Sequence, residues 1–187
     1  LSMKLRDAEK NGKLPKIVMP VHFAGQSCDM INIKKLSEKY GFKIIEDASH
    51  AIGGIYKNTK IGSCKFSDIT VFSFHPVKII TTAEGGCATT NDENIFEKLK
   101  LLSSHGVTRN PKNMVKKTLD KWVYDQISIG FNYRMSDLNA ALGLSQLLRI
   151  DSFINKRNKI AKKYFQQLKN LDLKLPKQED YNSSALH

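Results

Sequence analysis

Two short polar clusters combine residue types that can do covalent chemistry. The first holds Asp47 and His50, directly after the apolar run 42–46. The second holds Ser73 and Lys78, around the end of the next such run. If the two runs are neighbouring parallel strands, their carboxyl ends lie at one edge of a sheet, where open α/β sheets bind ligands. We therefore expect Asp47 and Lys78 to lie over the same edge.

An acid and a lysine in that position have two interpretations. Buried charges are normally paired, so Asp47 and Lys78 could form a structural ion pair. Alternatively, desolvation and nearby cations lower the pKa of a lysine, and its free amine then attacks a carbonyl. Pyridoxal phosphate chemistry needs such a lysine, a carboxylate on the pyridine nitrogen and hydroxyls for the phosphate. Asp47, Lys78 and Ser73 supply these types, and the residues alone leave both interpretations open.

The elements that would position these residues alternate between strands and helices. Apolar runs predict buried strands at 16–23, 42–46, 69–74 and 87–90. Helical patterns cover 1–15, 29–40, 92–103, 138–150 and 152–171. The stretch 53–65 is rich in Gly and Lys, and 105–128 is polar and irregular with Trp122 and Tyr124 as its large anchors. Strand, helix and strand with short links predict a parallel α/β sheet.

Length and composition exclude several classes of protein. The 187 residues are 41% hydrophobic and 26% charged, which suits a globular domain. No apolar run approaches the roughly 18 residues of a membrane span, and the first residues are too polar for a secretory signal. The three cysteines, Cys28, Cys64 and Cys87, form no C-x-x-C pair. We expect no metal site, no disulfide framework and a cytoplasmic location.

The net charge of +12 raises the question of a polyanionic partner. The 30 basic residues are mostly lysines, whereas specific nucleic-acid readers use arginine and stacked aromatic rings. The basic face of the helix at 152–171 is typical of a solvated surface. We therefore expect neither a nucleic-acid partner nor a membrane partner.

Four long stretches carry a resemblance to a known family. They are KIVMPVHFAGQSCDM (16–30), FKIIEDASHAIGG (42–54), ITVFSFHPVKIITTAEGGCATTND (69–92) and GFNYRMSDLNAALGLSQL (130–147). They resemble the DegT-type sugar-nucleotide aminotransferases, which are fold-type-I enzymes dependent on pyridoxal 5'-phosphate. The resemblance covers nearly the whole chain and is closest to members of the pseudaminic acid pathway.

The resemblance implies a fold and a domain organisation. The fold would be α/β, the three-layer major domain of aspartate aminotransferase-like enzymes, incomplete here and followed by helices that lead to a small C-terminal domain. Residues 1–150 would be part of the large cofactor-binding domain. Residues 151–187 would be a connecting helix and the start of the small domain, with 183–187 opening its first strand.

The resemblance also implies an activity. The enzyme would move an amino group from glutamate to the 4-keto carbon of a UDP-linked 4-keto-6-deoxy-N-acetylhexosamine, in the synthesis of cell-surface polysaccharide. The active site would be shared across a homodimer. The alternatives are another amino-sugar transaminase of the family, or a non-catalytic piece.

Residue by residue, the resemblance assigns five positions. Lys78 matches the lysine that forms a Schiff base with the cofactor and later moves the substrate proton. Asp47 matches the carboxylate on the pyridine nitrogen, and His50 matches the group that hydrogen-bonds the phenolic oxygen. Ser73 matches the phosphate-binding hydroxyl. Asn132 matches an asparagine that reaches the phosphate in the neighbouring subunit.

The chain also departs from the family in length. Family members are much longer. The resemblance places a phosphate-binding helix start upstream of this sequence and most of the small domain downstream of it. We therefore expect this chain to be the central piece of an enzyme. A lysine at position 78 argues against the branch of the family that carries histidine there and dehydrates its substrate.

Overall fold

A computed structural model describes residues 1–115, 120 and 122–187, which divide into two compact units. The first unit comprises residues 1–91 and 137–187, and the second comprises residues 92–136. The division expected from the sequence is different, with a cofactor-binding part at residues 1–150 and a connecting helix and the start of a small domain at 151–187. That division stays a prediction.

The elements are numbered along the chain. The helices are α1 (Ser2–Lys10), α2 (Met30–Tyr40), α3 (Glu93–Ser103), α4 (Asp137–Leu147) and α5 (Ile150–Leu168). The strands are β1 (Ile17–Val18), β2 (Lys43–Asp47), β3 (Ile55–Tyr56), β4 (Thr59–Lys60), β5 (Ile69–Ser73), β6 (Gly86–Thr89), β7 (Val107–Thr108), β8 (Asp125–Gln126) and β9 (Asn182–Ser183). A 3-10 turn covers Phe23–Gly25.

The main sheet of the first unit has the strand order β1-β2-β5-β6. The first three strands are parallel, as predicted, and Asp47 pairs in register with Val71. The prediction of a parallel sheet is wrong for β6, which runs antiparallel to β5. A parallel neighbour needs a crossover connection, and residues 74–85 contain no helix to make one. The chain instead turns straight back.

The core of the first unit packs the helices α1 and α2 against the sheet. Its buried side chains are Leu5, Met30, Tyr40, Phe42, Ile44 and Tyr56. Helix α2 ends before Gly41, which adopts a left-handed φ of 76°, a conformation that glycine reaches without strain. Asp29 precedes α2, and its carboxylate accepts hydrogen bonds from the side chains of Asn32 and Tyr56.

Two stretches of the first unit differ from the sequence prediction. The strand predicted at 16–23 is paired mainly at Ile17–Val18, because Pro20 has no N–H to donate. The stretch 53–65 contains the hairpin β3–β4, whose turn residues Lys57 and Asn58 both have positive φ angles. Strand β9 pairs with β3, so the strand expected near 183 extends this hairpin.

The second unit has little buried surface. Asp92 caps α3 by accepting the N–H groups of Asn94 and Ile95, as the sequence indicates. The irregular stretch 105–128 contains the hairpin β7–β8, and residues 116–119 and 121 of it lie outside the described residues. The prediction that Trp122 and Tyr124 anchor this stretch is wrong, because they are 77% and 57% exposed. Two paired residues on each strand are too few to cover such rings.

Among the described helices, none combines the length and the apolar character that crossing a membrane requires.

Candidate active site

Asp47 is the last residue of β2, at the carboxyl edge of the parallel strands. Its Oδ1 accepts the Ser49 N–H at 3.0 Å. Burial opposes ionisation, but the hydrogen bonds from Ser49 and the positive charges of His50 and His22 hold the pKa of Asp47 below its ordinary value. Asp47 therefore offers an ionised acceptor at the sheet edge.

Lys78 lies in the turn of residues 74–85 that joins β5 to β6. The backbone N–H of Lys78 donates to the His75 carbonyl at 2.9 Å. Phe74 closes the turn, because its N–H donates to Gly85 O and its carbonyl accepts the Thr82 N–H. The turn is thus hydrogen-bonded on both sides of Lys78.

Buried apolar side chains fasten this turn to α5. Ile79 and Ile80, directly after the lysine, are 5% and 3% exposed. They pack with Ala185 and with partly buried side chains that include Ile150, Phe153 and Ile154. The backbone next to Lys78 is therefore held by packing, while the lysine side chain is only partly buried.

The structure does not form the ion pair between Asp47 and Lys78. Within the described residues, no carboxylate oxygen lies within 4 Å of Lys78 Nζ. Asp47 and Lys78 therefore do not neutralise each other by direct contact. Of the two interpretations that the residues left open, this geometry does not support the structural pair.

His50 is held by the backbone and by aromatic contacts. Its Nδ1 accepts the Ala24 N–H at 3.3 Å, so the neutral ring carries its proton on Nε2. The ring stacks on His187 with centroids 4.1 Å apart and planes 20° apart. Phe23 flanks it at 5.8 Å. His50 therefore presents Nε2–H as a donor.

His187 is a neighbour of the site that sequence reasoning missed. Its N–H donates to Ala24 O, and Arg157 holds the adjacent carbonyl of Leu186 at 2.8 Å. Burial, and then the charges of His50, Lys78 and Arg157, lower the pKa of His187. No local pattern could have revealed this contact, because the two stacked rings lie far apart in the chain.

The other two predicted site residues differ in placement. Ser73 ends β5, two residues beyond the partner of Asp47, and its Oγ accepts the His75 N–H at 3.4 Å. Asn132 belongs to the second unit, where it forms an antiparallel bridge with Ser104. Thus Asp47, His50, Ser73 and Lys78 share the first unit and Asn132 does not.

A cavity of about 730 Å³ lies within the second unit. Arg109, Tyr124 and Arg134 are among the residues that line it, and none of the five predicted site residues is. Arg134 donates to the Ser104 hydroxyl at 3.4 Å and forms no ion pair with the described residues. The residues that line this cavity therefore include none of the lysine turn.

Solved sugar aminotransferases share this mixed α/β architecture over most of the chain. The pyridoxal-phosphate form of a putative sugar aminotransferase from Streptococcus pneumoniae superposes with a TM-score of 0.76 at 30% identity, over 91% of this chain and 46% of that one. PseC from Helicobacter pylori, an aminotransferase of pseudaminic acid biosynthesis, gives a TM-score of 0.76 at 38% identity, over 86% of this chain and 40% of that one.

The sequence profile of the DegT/DnrJ/EryC1/StrS aminotransferase family matches residues 8–187, and the chain belongs to that family. A UDP-4-amino-4,6-dideoxy-N-acetyl-beta-L-altrosamine transaminase from Campylobacter jejuni is 42% identical over 184 residues, which are 98% of this chain and 45% of that protein. The chain therefore spans less than half the length of the relatives it matches.

The residues of the first unit fit pyridoxal phosphate. Its ring nitrogen needs an ionised acceptor, which the Asp47 carboxylate provides. Its phenolic oxygen needs a donor, which His50 Nε2 provides. Its aldehyde needs an amine, and Lys78 Nζ is not held by any carboxylate in the described part of the chain.

Proposed function

We propose that the complete protein is a pyridoxal-phosphate-dependent transaminase of a nucleotide-linked 4-keto-6-deoxy sugar, with glutamate as the amino donor. The observation that carries the proposal is an unpaired Lys78 amine and an ionised Asp47 at one sheet edge, in a chain of the DegT/DnrJ/EryC1/StrS family. The name of the Campylobacter jejuni relative supports a UDP-linked amino-dideoxy sugar.

Each residue of the site has a proposed task. When bound, pyridoxal phosphate supplies a ring that takes up the electron pair left on the substrate carbon. Asp47 Oδ2 accepts the ring N–H and keeps that nitrogen protonated. His50 Nε2 donates to the phenolic oxygen, and the Ser73 hydroxyl donates to the phosphate. Lys78 Nζ holds the cofactor and then moves the proton at the carbon that exchanges its amino group.

The assembly is also part of the proposal. Asn132 would reach the phosphate held by the neighbouring subunit of a homodimer. The nucleotide diphosphate of the substrate is anionic, and the net charge of +12 favours its approach without selecting a particular sugar.

The direct test is borohydride trapping of added pyridoxal phosphate, followed by peptide mass mapping. We expect one adduct, at Lys78, that Lys78→Ala removes, because Lys78 supplies the amine of the proposed site. The control is Lys60→Ala, an exposed lysine of β4 in the same unit, which should leave the adduct unchanged. Labelling scattered over many lysines of the complete protein would contradict the proposal.

Two alternatives predict other outcomes. Another amino-sugar transaminase of the family would give the same adduct but would turn over a different keto sugar in a substrate screen. A non-catalytic piece would give no selective adduct in this chain, whereas the complete protein would label at Lys78.

A further inference from the structure

A buried ionic cluster joins the first three strands of the main sheet. His22 is completely buried, Glu46 is 5% exposed, and His22 Nε2 donates to Glu46 Oε2 at 2.6 Å. The other carboxylate oxygen accepts hydrogen bonds from the hydroxyls of Ser67 and Thr70. His22 follows β1, Glu46 lies on β2 and Thr70 on β5, so one carboxylate ties three strands together.

The same cluster fixes the backbone of Asp47. The segment after β1 pairs with it, because the His22 N–H donates to Asp47 O at 3.0 Å and the Asp47 N–H donates to Pro20 O at 2.9 Å. Side chains alternate faces along a strand, so Glu46 and Asp47 point to opposite faces of the sheet. The imidazole of His22 therefore anchors, from the buried face, the segment that holds Asp47 in place.

The hydrogen bonding of this pair is the same in both charge states of the histidine. Burial lowers the pKa of His22, but hydrogen bonds with Cys28 and Glu46 raise it to about 9. In the neutral ring Nδ1 accepts the Cys28 N–H at 3.2 Å, and protonation of Nδ1 would remove that acceptor. With or without that proton, Nε2–H donates to Glu46. The contact is thus maintained over the neutral pH range.

Stability alone gives a weak reason for such a pair. Replacing a buried ion pair by apolar residues of similar volume is often neutral or stabilising. Here the pair lies where three strands end, next to the one carboxylate that the site requires. A fully hydrogen-bonded cluster can set a unique geometry that an apolar contact leaves free.

We propose that His22, acting through Glu46, is a positioning residue for Asp47. It fixes the height and direction at which the Asp47 carboxylate meets the nitrogen of the cofactor ring. The part concerning the ring nitrogen rests on the proposed function, whereas the hold on the Asp47 backbone does not.

The first test uses the cofactor-free chain. His22→Gln is expected to speed amide exchange at Asp47 about tenfold, because the Pro20–His22 segment loses its anchor. The matched control is Tyr56→Phe, which removes a 2.6 Å hydrogen bond to Asp29 in the same unit, away from the strand ends. It should leave Asp47 exchange unchanged once both variants are compared at equal global stability. Equal exchange in the two variants would overturn the proposal.

The second test is a double-mutant cycle on the dissociation constant of pyridoxal phosphate. His22→Gln should weaken binding about tenfold, the size seen when an outer partner of a metal ligand is removed. In the Asp47→Asn background the same change should cost less than about twofold, because the residue through which His22 acts is already lost. If His22→Gln weakened cofactor binding by the same factor in both backgrounds, its role would be purely structural and the proposal would be wrong.

The conservative variant Glu46→Gln keeps the shape of the cluster and serves if His22→Gln fails to fold. It should speed amide exchange at Asp47 and weaken cofactor binding, as His22→Gln should.

The proposed function and the positioning role of His22 can fail separately. If the unaltered complete protein does not bind pyridoxal phosphate, the proposed function fails, while the exchange experiment still decides whether His22 holds Asp47.

Discussion

At the scale of single residues, the site depends on backbone groups that decide where protons reside. The Ala24 N–H leaves His50 with its proton on Nε2, and the Ser49 N–H occupies only one oxygen of Asp47. A lysine, a carboxylate and a hydroxyl are recognisable by type in the sequence. Which atoms remain available for a ligand is not, because it depends on backbone donors that every residue carries.

Acidic side chains of the first unit give its stability a defined pH dependence. Burial opposes the ionisation of Glu46 and Asp68. Their hydrogen bonds nevertheless hold the pKa values of these two carboxyl groups below the ordinary 4.5 and 3.8. Groups with a depressed pKa in the folded state stabilise it above their unfolded pKa, and that stability is lost as pH falls through the folded pKa. We expect the contribution of these carboxylates to the urea midpoint to be constant from pH 7 to 5 and to fall below about pH 4.5.

Asp68→Asn checks this expectation at one position. The Asp68 carboxylate accepts the Ile44 N–H at 2.8 Å and pairs with Lys43 at 3.0 Å. The free energy of unfolding of the variant, measured by urea denaturation, should be about 1–2 kcal/mol lower at pH 7. The difference from the unaltered protein should shrink by pH 3. A difference that is constant over this range would mean that the charge of Asp68 does not contribute.

At the scale of elements, the segment after β9 closes over the 3-10 turn next to His50. The Ala185 N–H donates to Gly25 O, and the His187 N–H donates to Ala24 O. Gly25 has a φ of 88°, and a Cβ there would lie 2.7 Å from the Leu186 nitrogen. The close approach of the two backbones therefore requires a glycine at this position.

Gly25→Ala tests how much this approach contributes. The strain of the positive φ and the contact with Leu186 should together cost about 2–4 kcal/mol in unfolding free energy. Gly12→Ala is the matched control, since Gly12 also has a positive φ of 62° but an added Cβ would meet nothing within 4 Å. It should cost only about 1–2 kcal/mol. Equal losses in urea denaturation would show that the backbone contact is unimportant.

The elements differ in how far the sequence could predict them. Strands β2 and β5 have apolar residues at their centres, and α2 ends at a glycine, so local pattern was enough. The antiparallel direction of β6 depends on the turn that carries Lys78 and not on the strand's own residues. Strands β3 and β9 have two residues each, and a pairing between Ile55 and Ser183 leaves no periodicity to detect.

At the scale of the whole molecule, the two units differ in how much they bury. Strands β2 and β5 contain Ile44 and Thr70, which are completely buried, whereas α3 in the second unit has no buried residue. Local opening costs least where few apolar contacts are lost. The second unit should therefore open more readily than the sheet.

Hydrogen exchange followed by mass spectrometry checks this difference in the isolated chain. Amides of α3 should exchange at least about tenfold faster than those of β2 and β5. Equal protection in both units would contradict the expectation and would indicate that they unfold together.

The partners of the lysine turn also set an order of events during protein synthesis. Ile150, Phe153 and Ala185, which pack against the turn, and His187, which stacks on His50, are all translated after Lys78. At about 5–20 residues per second, the roughly 110 residues between Lys78 and His187 take on the order of 5–20 s to appear. During that interval the nascent chain carries the lysine turn without the side chains that later pack against it.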